Sequence, residues 1–265
     1  MRGLVLDFDG VVFNSAPEAF LVARRAYADL GPAVPCDAPL PSPGEVQAPT
    51  LDQVLADPVY RRFLELMPLG NRAEDYAVIL SSLEREASVH DQESYDRQHE
   101  RIPGEYQQAY HAHFYEVRTG FREEHPERWR GLQGPYPEIV ALVRRHSSDV
   151  FLAIATAKDR QSVRLLLEDN GLGDRFPDAR LMDKDTGRSK AAHLQHLQGV
   201  LGIPFAEMTF VDDKVNHLDA VAPLGVRCVL AAWGYNGDRE RDLARERGYV
   251  VCSLAVAERV LFPLR

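Results

Sequence analysis

Two aspartates one residue apart end the first apolar stretch of the chain. Asp7 and Asp9 close the run that begins at Leu4, and Gly10 follows directly. Side chains at positions i and i+2 of an extended segment point to the same side, so the two carboxylates repel each other unless a positive group lies between them. A cation such as Mg²⁺ would take their oxygens as ligands, or one carboxylate could be a nucleophile beside an acid–base partner. The alternative is a strand followed by an Asx turn.

Three later positions add polar groups that could join this pair. Thr156 follows the apolar run 151–155 and offers a hydroxyl to an anion, or it caps the next helix. Lys190 stands at a predicted helix start, where a bound phosphate or a carboxylate pair would offset its unfavourable position in the helix dipole. Asp212 and Asp213 end a second apolar strand, although Asp213 could also be an N-cap. In an open α/β sheet these strand ends would share one site.

The second half of the chain alternates short apolar strands with helical patterns. The predicted strands after the first one, at 4–8, cover residues 150–155, 180–182, 208–211, 226–230 and 249–251. The predicted helices cover residues 138–145, 160–170, 190–201, 218–222 and 254–261. Repeated βα units predict an α/β fold with a parallel sheet and right-handed crossovers.

More than a hundred residues separate the first strand from the second, and their pattern is helical. The predicted helices cover residues 19–30, 59–67, 73–87 and 105–118. Residues 31–49 are rich in proline and small side chains, which predicts an extended loop. We therefore predict a Rossmann-like core of residues 1–15 and 133–265, with an all-helical domain, residues 16–132, inserted after the first strand.

Composition excludes several classes of protein. A formal net charge of -9 over 265 residues disfavours general nucleic-acid binding. The apolar stretches are too short to span a bilayer, and the first fifteen residues do not resemble a signal peptide. Cys36, Cys228 and Cys252 are widely spaced and have no metal-finger or redox pattern, so we expect reduced thiols in a cytoplasmic protein.

These residues together resemble the motifs of the haloacid dehalogenase-like superfamily. The run Asp7-Phe8-Asp9-Gly10-Val11-Val12 resembles its first motif, Thr156 its second, Lys190 its third and Asp212-Asp213 its fourth. Trp233-Gly234-Tyr235 also looks like a loop seen in many members. The long helical insert is similar to the cap domain of the family's first cap class.

The resemblance implies a role for each matched residue. Asp7 would attack phosphorus to form an aspartyl-phosphate, while Asp9 would protonate the leaving group and then activate water. Thr156 would hydrogen-bond the phosphoryl oxygens, and Lys190 would neutralise Asp7 and the transferring group. Mg²⁺ would be held by Asp7, the backbone carbonyl of Asp9 and Asp213, with Asp212 close by.

Two departures from the family pattern concern the third and fourth motifs. Many members have a further Asp four residues after the metal-binding one, where this chain has His217. Asn216 or Asp219 could support the metal instead, or the role could be absent. Lys190 lacks the Lys-Pro pair common in capped phosphatases, so Lys184 is a competing candidate.

The resemblance also separates the reactions of the family. Dehalogenases generally lack the second Asp, so Asp9 argues against dehalogenation. Phosphonatases use a cap lysine, and no lysine occurs between residues 1 and 134. We expect an Mg²⁺-dependent phosphatase acting on a small phosphorylated metabolite. One alternative is a phosphomutase on a small sugar phosphate, which differs from a phosphatase only in water access and substrate reorientation under the cap. The other is a binding or regulatory protein with little turnover.

Four further residues are candidates for contact with the substrate: Gly10, Ala157, Lys158 and Arg72. Gly10 lets the backbone approach a bound group closely. Lys158 could reach a second anionic group, although surface charge is the simpler interpretation. Arg72 could recognise a carboxylate or phosphate by paired donors, or it could be a solvated arginine near two acidic residues.

Overall fold

The computed structural model describes residues 2–36, 39–41, 48–70, 72–187 and 189–263. The chain divides into two units: Met1–Asn14 with Pro135–Arg265, and Ser15–Gly134. The loop predicted over residues 31–49 falls partly on residues 37, 38 and 42–47, which lie outside the described residues.

A parallel sheet forms the centre of the first unit. The strands in chain order are β1 (Gly3–Leu6), β2 (Phe13–Asn14), β3 (Gly134–Pro135), β4 (Phe151–Ala155), β5 (Leu181–Met182), β6 (Met208–Asp212), β7 (Arg227–Ala231) and β8 (Val250–Cys252). Six of them form one sheet in the order β5-β4-β1-β6-β7-β8, and each neighbouring pair is parallel. The predicted α/β fold with a parallel sheet is confirmed.

The strand order reverses direction at β1. The chain proceeds from β1 to β4 and β5 on one side, and then to β6, β7 and β8 on the other. β1 is buried along its whole length, as expected of a central strand covered on both faces. The carboxyl end of β1 is therefore the topological switch point, where open α/β sheets bind their ligands.

Short strands β2 and β3 form a separate two-stranded sheet. They occupy the two connections between the units, because β2 ends at Asn14 and β3 spans Gly134–Pro135. The chain thus leaves the first unit and returns to it at paired segments.

The second unit is helical in its described part. Its helices are α1 (Ala16–Leu30), α2 (Leu51–Leu55), α3 (Pro58–Leu66), α4 (Ala73–Glu84), α5 (Gln92–His99), α6 (Gly104–Glu124) and α7 (Pro126–Gly131). A row of aromatic rings packs at its centre, with centroids 5.2 Å apart for Phe20 and Phe63, 5.4 Å for Phe63 and Tyr76, and 5.5 Å for Tyr76 and Phe114. This unit has its own apolar core.

Helices of the first unit cover its sheet. They are α8 (Pro137–His146), α9 (Arg160–Asp169), α10 (Lys190–Leu201), α11 (Val215–Val221), α12 (Asp238–Glu246) and α13 (Ala257–Leu261). Leu194 and Leu197 of α10 pack into the core cluster that includes Val5 and Phe210. Across the described ranges, no helix is both long and apolar enough to cross a membrane.

Candidate active site

The polar groups predicted from the sequence lie at the carboxyl edge of the sheet. Asp7 directly follows β1, Thr156 directly follows β4, and Asp212 is the last residue of β6. Lys190 is the first residue of α10, because Ser189 caps that helix by accepting a hydrogen bond from the Ala192 amide at 3.2 Å.

Lys190 connects two of the aspartates. Its Nζ lies 2.8 Å from Asp7 Oδ1 and 3.2 Å from Asp212 Oδ2, and it donates to the Ala155 carbonyl at 2.7 Å. The three ammonium donors therefore have three acceptors. Burial disfavours the ammonium, but Asp212 and Asp7 outweigh this effect and raise the pKa of Lys190 above its ordinary value. Lys190 is thus a fixed positive charge between two carboxylates.

Asp7 is a buried carboxylate with one oxygen held in place. Its Oδ1 accepts the backbone N–H of Phe8 at 2.7 Å as well as the bond from Lys190. Burial raises the pKa of Asp7 to about 7, although the nearby Lys190 charge lowers it. Within the described residues no donor bonds Oδ2, which is therefore the oxygen available for chemistry.

Asp212 uses both of its oxygens within the protein. Oδ1 accepts the Lys214 amide at 3.0 Å, and His217 Nδ1 lies 3.1 Å from Oδ1 and 3.0 Å from Oδ2. Burial opposes ionisation, but His217 and Lys190 together hold the pKa of Asp212 well below its usual range. Burial also lowers the pKa of His217, although the Asp212 charge opposes this effect. A protonated Nδ1 is the donor that matches this contact.

The other candidates near the fourth motif have different surroundings. Asp219 accepts a hydrogen bond from the Tyr249 hydroxyl at 2.6 Å, which occupies one of its oxygens. Asn216 Oδ1 is buried and has no hydrogen-bond partner in the described part of the chain. Of Asn216, His217 and Asp219, it is His217 that contacts Asp212, at the position where many members of the resembled superfamily have an Asp.

Asp213 is the aspartate with an unused oxygen. Its Oδ2 accepts the Tyr235 amide at 2.7 Å, whereas the buried Oδ1 has no hydrogen-bond partner among the described residues. Burial and the neighbouring Asp212 charge raise its pKa well above the usual range. A buried carboxylate oxygen that lacks a donor is a suitable ligand for a cation.

A second arrangement for a cation is less compatible with these contacts. Ligand atoms of Asp7, Asp212 and His217 all lie within 4.8 Å of one another. Asp212 and His217 already bond to each other, so a metal held by both would have to break that contact. Asp7 with Asp213 offers oxygens that internal donors do not occupy, and the residues present therefore fit a hard cation such as Mg²⁺.

The surface-charge interpretation of Lys158 is wrong. Its side chain is 0% exposed, and Nζ lies 3.1 Å from Asp9 Oδ1. The Lys158 amide donates to Thr156 Oγ1 at 3.1 Å, so this short segment contacts both a predicted phosphate ligand and the predicted acid–base group. The sequence contains one signal for a special role of Lys158. The four lysines of the chain, at 158, 184, 190 and 214, all lie in the region that holds the second, third and fourth motifs.

The remaining candidates lie in different places. Gly10 is buried with φ +82°, and a side chain there would overlap the Asp213 carboxylate. Ala157 is exposed beside Thr156. Lys184 bonds Asp185 at 2.7 Å, so Lys190 rather than Lys184 lies against Asp7. Arg72 is exposed in the second unit, and its amide donates to Asp75 Oδ2 at 2.9 Å at the start of α4.

The loop after β7 supports the same cluster. Gly234 approaches so closely that a side chain there would overlap Asp213 and the Gly10 carbonyl. Trp233 Nε1 donates to the Val11 carbonyl at 3.0 Å, and Tyr235 supplies the amide bond to Asp213. This loop therefore ties the first motif to the fourth.

Solved structures with the same fold extend over nearly the whole chain. A predicted phosphoglycolate phosphatase from Haemophilus somnus is 17% identical with a TM-score of 0.64, covering 98% of this chain and 97% of its own. A candidate phosphoglycolate phosphatase from Lactobacillus delbrueckii is 16% identical with a TM-score of 0.68 and full coverage of both chains. A predicted phosphatase from Clostridium acetobutylicum is 14% identical with a TM-score of 0.62 and 99% coverage of both.

At these identities the likeness shows a shared fold, and the family follows from the sequence itself. Residues 1–225 match the sequence model of a family that is described as haloacid dehalogenase-like hydrolase. That range includes β1, the helical insert and all four motif positions. The chain belongs to the family of haloacid dehalogenase-like hydrolases.

Proposed function

We propose that this protein is a phosphatase that hydrolyses a small phosphate monoester through an aspartyl-phosphate at Asp7. The observation that supports this proposal most is that, among the described residues, only one of the two Asp7 carboxylate oxygens is held by hydrogen bonds. Lys190 and the Phe8 amide hold Oδ1, and no donor in the described residues bonds Oδ2. A nucleophile held in this way presents one oxygen in a defined direction, as in-line phosphoryl transfer requires.

Asp7 and Asp9 would divide the reaction between them. In the first step the bond from Asp7 Oδ2 to phosphorus forms, the ester P–O bond breaks, and Asp9 gives its proton to the leaving oxygen. In the second step Asp9 takes a proton from water, the water oxygen bonds phosphorus, and the bond to Asp7 breaks. Inorganic phosphate leaves, and both residues return to their starting states.

The transferring group would be held by several neighbours. We propose that the Thr156 hydroxyl and the backbone near Gly10 and Ala157 bind the phosphoryl oxygens, while Lys190 compensates their charge. Asp7, the Asp9 carbonyl and Asp213 would hold Mg²⁺, with Asp212 close by. When bound, the ion supplies charge compensation and orientation for the phosphoryl group.

The helical insert would be the cap that selects the substrate. Since it contains no lysine, arginines are its main permanent cations, and we propose Arg72 as a contact for a second anionic group. Three of the solved structures with this fold are described as predicted or candidate phosphoglycolate phosphatases. We therefore propose a small phosphorylated carboxylic acid, with 2-phosphoglycolate as the first compound to test.

The cysteines and the net charge bear on where the protein works and what it binds. Cys36, Cys228 and Cys252 are free thiols, which is typical of a reducing compartment, so we propose that the protein works in the cytoplasm. Its negative net charge favours a small phosphorylated metabolite over a nucleic acid as its partner.

The test is phosphate release from a panel of phosphorylated metabolites, including 2-phosphoglycolate and sugar phosphates, with Mg²⁺ and with a chelator. Asp7→Asn should abolish release while preserving the fold, because it removes the nucleophile and keeps the side-chain shape. Asp185→Asn is the matched control, since that carboxylate is exposed and pairs with Lys184.

Each outcome of the panel separates the candidate functions. Metal-dependent release that Asp7→Asn removes and Asp185→Asn retains supports the phosphatase. Conversion of a sugar phosphate to its isomer without free phosphate would identify a phosphomutase instead. Equal release by wild-type protein and Asp7→Asn would contradict the role of Asp7.

A further inference from the structure

Lys158 is a buried cation that the roles given above do not use. Its side chain is fully buried, whereas the Asp9 side chain that it contacts is 29% exposed. The Nζ–Oδ1 distance of 3.1 Å is that of a hydrogen bond from the ammonium, which Oδ1 can accept whether or not Oδ2 carries a proton. A desolvated ammonium in this position restricts where the Asp9 carboxylate can point.

The composition of the chain makes a general surface role for Lys158 a poor explanation. The sequence has 31 Lys and Arg residues, and only the positions 158, 184, 190 and 214 are lysine. Exposed cations in this chain are therefore almost always arginine. Lys158, Lys190 and Lys214 are all buried and all lie beside the aspartates of the site.

The local backbone fixes the lysine from the other end. The Lys158 amide donates to Thr156 Oγ1 at 3.1 Å, and the Lys158 carbonyl accepts the Lys184 amide at 3.4 Å. Thr156 itself is anchored to the sheet, because its amide donates to the Met182 carbonyl at 2.9 Å. The Lys158 backbone is thus held by Thr156 and Lys184, and the tip of its side chain contacts Asp9.

We propose that Lys158 is a positioning residue for Asp9: it holds Oδ1 so that Oδ2 is the oxygen that exchanges protons with the leaving group and with water. The inference rests on the proposed phosphatase function, because it assigns Asp9 the acid–base role. It adds a residue that acts through Asp9 without contacting the reacting atoms.

Direct binding of the phosphoryl group by Lys158 would affect kcat and KM differently from positioning of Asp9. If Lys158 bound the phosphoryl group directly, its loss would weaken substrate binding and would add to the loss of Asp9. If it acts through Asp9, its loss should lower kcat with little change in KM and should have no further effect once Asp9 is disabled.

The experiment is a double-mutant cycle of Lys158→Met and Asp9→Asn on the best substrate of the panel. We expect Lys158→Met to lower kcat by about 100-fold, the lower end of general acid–base effects, with KM changed by less than about threefold. In the Asp9→Asn background the same substitution should change kcat by less than about twofold. Lys184→Met is the matched control, because Lys184 pairs with the exposed Asp185 and should leave kcat unchanged.

A second readout separates positioning from a general loss of structure. The first step with p-nitrophenyl phosphate needs little protonation, because its leaving oxygen is weakly basic. Lys158→Met should therefore retain the rapid burst of nitrophenol and lose the slower steady-state rate. A burst that falls as much as the steady-state rate would overturn the proposal, as would multiplicative losses in the cycle.

The cycle also includes a measurement that does not need activity. Wild-type protein without activity on the whole panel would contradict the phosphatase function. Urea unfolding of the wild-type protein, the two single variants and the double variant would then test the contact between Lys158 and Asp9. We expect the unfolding equilibrium constants to show coupling of at least about fivefold between Lys158 and Asp9. Independent effects on unfolding would overturn the proposed contact whatever the activity.

Discussion

At the scale of single residues, two glycines make room for the Asp213 carboxylate. Gly10 has φ +82°, a conformation that L side chains rarely adopt, and a Cβ there would overlap Asp213. Gly234 approaches Asp213 from the other loop. The site therefore needs glycine for space as well as for backbone conformation.

A pair of alanine substitutions separates these two needs. Gly225 has the same φ as Gly10, but a Cβ added at Gly225 would meet no described atom within 4 Å. Gly225→Ala should cost about 1 kcal/mol of stability and keep activity, because it introduces backbone strain alone. Gly10→Ala should cost about 2–4 kcal/mol and lose most activity, because it also displaces Asp213. Urea unfolding and phosphate release measure both effects, and equal losses for the two variants would contradict the argument.

Protons and Mg²⁺ should compete for Asp7. Burial raises its folded-state pKa to about 7 from the ordinary 3.8, so the folded protein binds this proton more tightly than the unfolded chain does. That stabilisation is fully present below the ordinary pKa and is lost as the pH rises through about 7. Without metal, stability should therefore fall between about pH 6 and 8, and added Mg²⁺ should raise Tm more at pH 8 than at pH 6.

Thermal unfolding with Mg²⁺ or chelator at the two pH values measures this competition. Asp7→Asn should show a smaller dependence of the Mg²⁺ effect on pH, because that side chain binds no proton in this range. An equal Mg²⁺ effect at both pH values in the wild-type protein would exclude Asp7 as the site of competition.

At the scale of elements, a buried ion pair joins α1 to α6 in the second unit. Arg118 Nε lies 2.8 Å from Glu18 Oε1, Arg118 Nη2 lies 2.8 Å from Glu18 Oε2, and both side chains are buried. The guanidinium also lies 4.7 Å from the centroid of the Phe114 ring. Such a pair contributes little over a well-packed apolar pair, but breaking it leaves a buried charge.

Arg118→Met should therefore destabilise the protein by about 3–5 kcal/mol, and adding Glu18→Leu should recover much of that loss. The matched control is Arg97→Met, which removes an exposed i,i+4 pair with Glu93 in the same unit and should cost less than about 0.5 kcal/mol. Urea unfolding measures all three variants. A double variant as unstable as Arg118→Met alone would show that the Glu18 charge left without Arg118 is not the cause.

The elements that the sequence predicts well have clear apolar periodicity or caps. The helix predicted over residues 190–201 is α10, because Ser189 caps its start and the left-handed Gly202 ends it. Helices α2, α5, α7 and α12 are absent from the sequence prediction. The buried residues of α12 are Glu240 and Ala244, so it offers no apolar stripe to recognise.

Some residues of the candidate site were also predictable from the sequence, and others were not. Asp7 and Asp212 are predictable because an apolar strand that ends in acid is visible in the chain order. The contact of Lys158 is not predictable, because it depends on Asp9, which follows a separate strand. The contact of His217 is local, but it depends on how the turn between β6 and α11 directs the imidazole toward Asp212. A lysine three residues after a strand is ordinarily solvated, and only the packing of the first unit shows that this one is buried.

At the scale of the whole molecule, the chain consists of a parallel-sheet unit and a contiguous helical insert. Each unit has its own apolar core, as the cluster around Phe210 and the aromatic row around Phe63 illustrate. The insert begins after β2 and ends at β3, and these two strands pair with each other. Its two ends are therefore only about one strand spacing apart, roughly 5 Å.

This arrangement predicts that the units fold separately. Joining Asn14 to Pro135 through a Gly-Ser-Gly linker should give a core protein with one cooperative urea transition, and residues 15–134 alone should give a second folded piece. The core retains Asp7, Lys190 and Asp213, so it should still hydrolyse p-nitrophenyl phosphate slowly if the proposed chemistry is right. It should lose preference among metabolites, because the arginines of the insert would select the substrate.

Two outcomes would contradict this prediction. A core protein that unfolds without the insert would show that the two units are one thermodynamic unit. A folded core with unchanged preference among metabolites would place specificity outside the insert.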